Sequence, residues 1–180
     1  MAAPNVWKVN NVVYPDSLIT LALFRDVANV KELRRRVMAG EIEVALIKTS
    51  MIVDPFQVIA ATNKAVHFQK CGKMITKNVH SEILFCLSPS KSITESFRMF
   101  GAGDKDTSVL IIIVDDHDSK VVNKILDVVQ GELINVNQVA ETTDMKAVKK
   151  IYKLSDEELS VCSPLDAIVS RIAAKEIAIV

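Results

Sequence analysis

A surplus of charge of either sign is the first thing this chain lacks: across 180 residues, 22 basic side chains are matched by 22 acidic ones. No overall field draws it to nucleic acid or to a membrane surface, so any nucleic-acid contact must come from a local patch. Cysteines are few, and Cys71, Cys86 and Cys162 are odd in number, far apart and without a CxxC pair. That argues against a disulfide framework or a zinc site and fits a reducing compartment. Long apolar runs are missing as well; the longest aliphatic one, Val109 to Val114, falls far short of a membrane span. The N-terminus lacks a charged-then-apolar signal layout, so the expected location is cytoplasmic and nuclear. With no repeat, low-complexity tract or Gly/Ser linker, the expectation is a single domain over residues 1–180.

Catalytic motifs are also scarce. Gly101-Ala102-Gly103 before Asp104-Lys105 follows a helix instead of a strand and lacks the GKS/GKT ending, so it reads as a helix stop and turn. There is no GxSxG, HExxH or HRD segment, and His67, His80 and His117 have no metal-ligand spacing. Cys86 falls in a predicted strand as a small core hydrophobe, while Cys71 sits beside lysines in a last helical turn. Asp115, Asp116 and Asp118 are either a metal cluster or a solvated turn capping the next helix. Nothing assembles nucleophile, base and oxyanion donors. The expectation is a non-enzyme with no cofactor and no metal.

What is present is a globular composition, 49% hydrophobic and 24% charged. The chain is organised around Val53 to Gly72, VDPFQVIAATNKAVHFQKCG. Asp54 offers an N-cap, Pro55 suits the first helical position, Gln57 completes a capping box and Gly72 is the stop. Its first turns are apolar nearly all round, which calls for burial. Asn63, His67 and Lys70 share one face of its second half, with Lys64 beside them.

Before this helix, Val6–Val13 reads as an edge strand and Ser17–Phe24 as a better one. A short helix runs from the Asn29 cap to Gly40, and 41–50 is ambiguous between strand and helix. After it come a polar loop from Lys73 to His80, a strand Ser81–Leu87 and a helix from the Ser92/Glu95 box to Phe100. Ser108–Val114 is apolar on both faces of its pleat and so belongs in a sheet interior. A helix over 118–130 and a short strand Glu132–Val136 follow. The C-terminal third is helical, with Met145–Lys153, a short turn at Ser155 and a last helix opened by Ser163-Pro164. The fold class expected is α/β: a single domain with a small mixed sheet of about four strands, packed with helices.

The segment VDPFQVIAATNKAVHFQKCGKMITKNVHSEILFCLSPSKSITESFRMFG, with KKIYKLSDEE and LDAIVSRIA, resembles the TPRKB family, the PRPK-binding subunit of the KEOPS complex. The likeness runs from about Leu18 to Lys175; the first 16 residues and the tail Ile177-Ala178-Ile179-Val180 fall outside it. It implies a non-catalytic α/β protein that binds the kinase PRPK directly and other KEOPS subunits indirectly. Such a protein supports threonylcarbamoylation of tRNA and has members that hold the tRNA acceptor end. On that implication the apolar stripe Ile151, Tyr152, Leu165, Ile168, Val169 and Ile172 is a kinase-binding face, although simple core packing asks for the same residue types. The set Lys64, His67, Lys70, Lys73 and Lys77 becomes a tRNA site, with backbone donors from Ser88–Ser92. The alternative is a kinase-regulatory module with no RNA contact, favoured by the neutral charge.

Overall fold

The computed structural model describes residues 5–177, so residues 1–4 and the tail residues 178–180 lie outside it. In chain order it contains β1 (Trp7–Asn10), β2 (Leu18–Arg25), α1 (Val30–Met38), β3 (Ala45–Lys48), α2 (Pro55–Lys70), α3 (Val79–Leu87) and α4 (Ile93–Phe100). These are followed by β4 (Val109–Val114), α5 (Lys120–Val128), β5 (Glu132–Ile134), α6 (Met145–Tyr152), α7 (Asp156–Leu159) and α8 (Pro164–Ala174). Short 3-10 segments occupy Thr49–Met51 and Val136–Thr142.

The sheet runs β1-β2-β4-β3, and β5 pairs with β2 beyond the end of β1. It has five strands where about four were expected. Every pairing is antiparallel, not mixed. The α/β class and the interior position of β4 hold. Alternate side chains of β2, β3 and β4 feed two cores. Ile19, Leu21, Leu23, Ile47, Leu110 and Ile112 face α2, α3, α6 and α8, whereas Ala22, Phe24, Leu46, Val109 and Ile111 face α1 and α5. Both faces are covered by helices, which is why these strands read as unbroken apolar runs.

The stretch 81–87 is a correction: it is helix α3, not a strand. Asn78 accepts from the Ser81 amide at 2.9 Å and Ser81 Oγ accepts from the Asn78 amide, a capping box with serine in the glutamate's place. Val79, Ile83, Cys86 and Leu87 then fall at helical spacing into the core. Sandwiched between α2 and α4, the helix is apolar on most sides, and a short all-round apolar run does not reveal its period. Cys86 is therefore a buried helical residue, and burial pushes its thiol up to about 12. The ambiguous 41–50 region resolves as β3 followed by a 3-10 turn. Gly101 closes α4, its amide donating to Phe97 O, and a Cβ there would lie 2.6 Å from that same oxygen. Asp116 caps α5, accepting from the amides of Val121 and Val122.

His80, in the first turn of α3, is buried and its Nε2 accepts from the Val114 amide at 3.3 Å. Burial lowers its pKa to about 4, with nearby Asp115 opposing the shift. Above the ordinary value of 6.5 the ring is neutral in both the folded and unfolded chain, so its contribution to stability is complete. As pH falls from 6.5 to about 4, only the unfolded chain takes up the proton. A loss of about 3 kcal/mol is expected over that window. His80→Gln keeps an acceptor that does not titrate, so its denaturation midpoint should fall less steeply with acid than that of wild type. Parallel curves for the two proteins would remove His80 from the acid response.

Candidate functional site

Helices α2, α3 and α8 enclose a pocket of about 870 Å³ on the side of the sheet that carries the larger core. Asp54 starts α2 as expected, accepting from the Phe56 amide at 2.8 Å, and Gln57 Oε1 accepts from the Val53 amide. Sixteen residues on, the helix ends at Lys70 with Cys71 as C-cap and Gly72 left-handed at φ 65°. The buried root fixes α2 against α3 and α8, and its last two turns supply one pocket wall through Lys64, His67 and Phe68. The loop after α2 brings Lys73 and Ile75. That loop is held by Glu82 of α3, fully buried, whose Oε2 accepts from the amides of Ile75 and Thr76 and from the Thr76 hydroxyl. Phe85 lines the pocket from α3, and Val169 and Ile172 from α8.

Aromatic and aliphatic walls thus carry lysines on them, an arrangement that suits a flat apolar group attached to an anionic one. The lysines differ in freedom. Lys73 is exposed, and so is Lys91 on the loop before α4. The Lys64 side chain is only 13% exposed: its ammonium donates to the carbonyls of Ile172 and Ala173 and meets the Glu176 carboxylate at 2.5 Å. Lys64 is therefore a strut between α2 and the C-terminal end of α8, where a cation is favourable, and not the free phosphate-tracking lysine expected. Lys175 is buried, its ammonium donating to Phe85 O and lying 3.2 Å from the centre of the Phe85 ring. Burial pulls its pKa down to about 8, and Lys64 nearby acts in the same direction.

Of the expected tRNA residues, the pocket gathers Lys64, His67 and Lys73; Lys70 and Lys77 are exposed but do not line it. His67 Nδ1 lies 3.0 Å from the Tyr14 hydroxyl, with the two rings stacked at 6.1 Å. Cys71 Sγ lies 3.8 Å from His67 Nε2. This last turn presents carbonyls, not amides, and so gives an oxyanion no donors. In the Ser88–Ser92 loop two of the expected backbone donors are already engaged. The amides of Ser90 and Ser92 are taken by serine hydroxyls, and Ser92 Oγ accepts from the Glu95 amide. What that loop contributes is the Lys91 side chain. The sequence reading passed over Lys91, Lys175, Glu176 and the aromatic pair Phe68 and Phe85. Lys91 had a visible signal, being a lysine on a loop already singled out for its position.

The expected kinase-binding stripe divides in two. Tyr152, Ile168 and Ile172 are core residues, each at most 3% exposed, and are corrected to that role. Ile151, Leu165 and Val169 are only half-buried and remain available to a partner. Val169 is shared with the pocket.

Comparison with known proteins agrees over nearly the whole chain. The family described as "Kinase binding protein CGI-121" matches residues 24–176. The EKC/KEOPS complex subunit TPRKB of Danio rerio is 44% identical over 167 residues, 92% of this chain and 95% of that protein. The EKC/KEOPS complex subunit CGI121 of Yarrowia lipolytica is 35% identical, covering 77% of this chain and 81% of its own length. The corresponding subunit of Aspergillus fumigatus is 33% identical, with 76% of each chain covered. A match spanning α1 to α8, with relatives this similar from a fish and two fungi, makes the chain a member of the CGI-121 family of kinase binding proteins.

Proposed function

We propose that this protein is a non-catalytic KEOPS subunit of the cytoplasm and nucleus. In this reading it docks the kinase PRPK and helps to hold the acceptor end of tRNA during threonylcarbamoyladenosine formation. Family membership and the names of the relatives support the complex and the kinase. The observation that carries the RNA half is the pocket itself, with Phe68 and Phe85 on its walls and Lys73 and Lys91 exposed beside them. Unstacked bases bind aromatic side chains while lysines track the backbone, and a local basic patch does this without net charge on the whole chain.

The test is tRNA binding by the isolated protein as a function of salt. Lys73→Glu combined with Lys91→Glu is expected to weaken binding by about tenfold or more and to flatten the salt dependence, since each lost phosphate contact lowers the slope by roughly 0.7 to 0.9. Both lysines are exposed, so the fold should survive. Unchanged affinity would take the pocket out of the RNA site. It would favour the second reading, a kinase regulator without RNA contact, to which the equal count of acidic and basic residues points.

A further inference from the structure

The lysines of α6 form a charged surface that neither the pocket nor the apolar stripe uses. Lys146, Lys149, Lys150 and Lys153 share one face of the helix, opposite buried Val148 and Tyr152. Lys146, Lys150 and Lys153 are exposed and, among the described residues, belong to no ion pair. Two acids that follow in α7 are already engaged: Lys149 meets Asp156 at 3.0 Å, and Arg171 holds Glu158 at 2.7 Å. Asp144 is occupied as the N-cap, accepting from the amides of Lys146 and Ala147.

Local structure does not account for this row. Lys146 is in the first turn of α6, where the helix's free amides make a cation unfavourable. Lys150 and Lys153 gain from the dipole at the other end, but Lys153 does so in a left-handed conformation, φ 52°, which glycine or asparagine adopts with less strain. Lysines kept where the dipole or the backbone disfavours them answer a demand from outside the helix.

The partner that fits is a phosphate backbone. Protein interfaces centre on aromatic and aliphatic anchors and are depleted in lysine, whereas no apolar side chain interrupts this row. It also offers no aromatic platform on which a single strand could stack its bases. A row of lysines about 10 Å long suits a double helix, whose phosphates are held at regular spacing and are read by shape. Its position joins it to the pocket. The Tyr152 hydroxyl donates to Leu87 O at 2.5 Å, which sets the C-terminal end of α6 against the residue where the loop bearing Lys91 begins. We infer that the Lys146, Lys150 and Lys153 face of α6 binds the backbone of an RNA double helix, outside the pocket. This rests on the RNA reading proposed above and extends it from the pocket to the helical body of the RNA.

The test compares two fluorescent RNAs, a stem-loop with a short single-stranded 3′ overhang and that overhang alone, each titrated into the full chain. Wild type should bind the stem-loop roughly tenfold tighter, with a salt slope steeper by about two to three, at roughly 0.9 per duplex phosphate contact. Lys146→Glu combined with Lys150→Glu should abolish that difference and leave both the overhang's affinity and the capture of PRPK unchanged. The milder pair Lys146→Gln with Lys150→Gln should remove most of it, which keeps the test open if charge reversal harms the fold. Lys153→Gly should hold or raise the thermal transition by relieving the left-handed residue, yet weaken the stem-loop alone by about threefold. Equal binding of the two RNAs by wild type, or a preference that survives in both pairs of variants, overturns the inference and leaves the pocket reading standing. Loss of PRPK capture in folded variants, with the stem-loop preference intact, gives the row to the kinase and overturns it as well. Failure of wild type to bind either RNA overturns the RNA reading, and the inference falls with it.

Discussion

Tyr152→Ala is expected to lower stability by about 4 kcal/mol, enough to leave a protein of ordinary stability near the edge of unfolding. The ring is buried and meets Phe100 edge-on, with centroids 5.8 Å apart. Its hydroxyl donates to Leu87 O at 2.5 Å and accepts from Gln57 Nε2 at 3.1 Å. Burial drives the phenol well above its ordinary pKa, so it stays a neutral donor at any working pH. One side chain therefore ties α6 to the root of α2 and to the end of α3. Truncation opens a cavity and also leaves a buried carbonyl and a buried amide without this partner. Tyr152→Phe keeps the ring and should cost only about 1 to 3 kcal/mol. Urea denaturation reads both: the midpoint should fall, least for Phe, with the slope unchanged. An Ala variant that kept wild-type stability but lost the kinase would restore Tyr152 to the interface.

The elements with chemical punctuation were legible in the sequence. Asp54, Pro55 and Gly72 bracket α2, and the structure has the helix between them. Ser92 opens α4 and Ser163 opens α8, each side chain accepting the amide three residues on. Segment 81–87 was misread because its start signal is a serine answering an asparagine at Asn78, while SEILFCL is as apolar as a strand buried on both faces. Strand direction was illegible for a related reason. With helices on both faces, β2 and β4 carry no inside-outside alternation, and the register Ile19 to Val114 depends on the path of the chain between them.

The site was legible only in part, since composition and spacing cannot say which end of a side chain is occupied. Lys64 and Lys70 look equivalent on the same helix half. Yet Lys64 points at the end of α8, a neighbour more than a hundred residues away, and Lys70 points at solvent. The apolar stripe of α8 has the same limit. Ile168 and Ile172 face the core, while Leu165 and Val169 lie at the edge of that contact, and all four are aliphatic. Glu176 was invisible because a lone glutamate after a helix has no pattern; only its position in the pocket marks it out.

That division of α8 sets up the second large effect. Ile172→Glu should leave no folded protein to purify. The residue is 3% exposed where α8 packs on α2, and a buried carboxylate without a partner costs several kcal/mol on top of the lost packing. Lys64 lies close by but is already held by two carbonyls and Glu176. Leu165→Arg, in the first turn of the same helix and half-buried, should keep a thermal transition close to wild type. If Leu165 is an anchor of the kinase surface, its loss should weaken capture of PRPK by about thirtyfold or more, the scale of an interface hot spot. A folded Ile172→Glu would refute the core assignment. A folded Leu165→Arg that still captured PRPK would move the kinase surface off this helix. Because Leu165 does not line the pocket and Lys73 does, Leu165→Arg should leave RNA affinity unchanged, and Lys73→Glu should leave kinase capture unchanged. Coupled losses in these two variants would mean that kinase and RNA compete for a single face, which the separate positions of the two residues argue against.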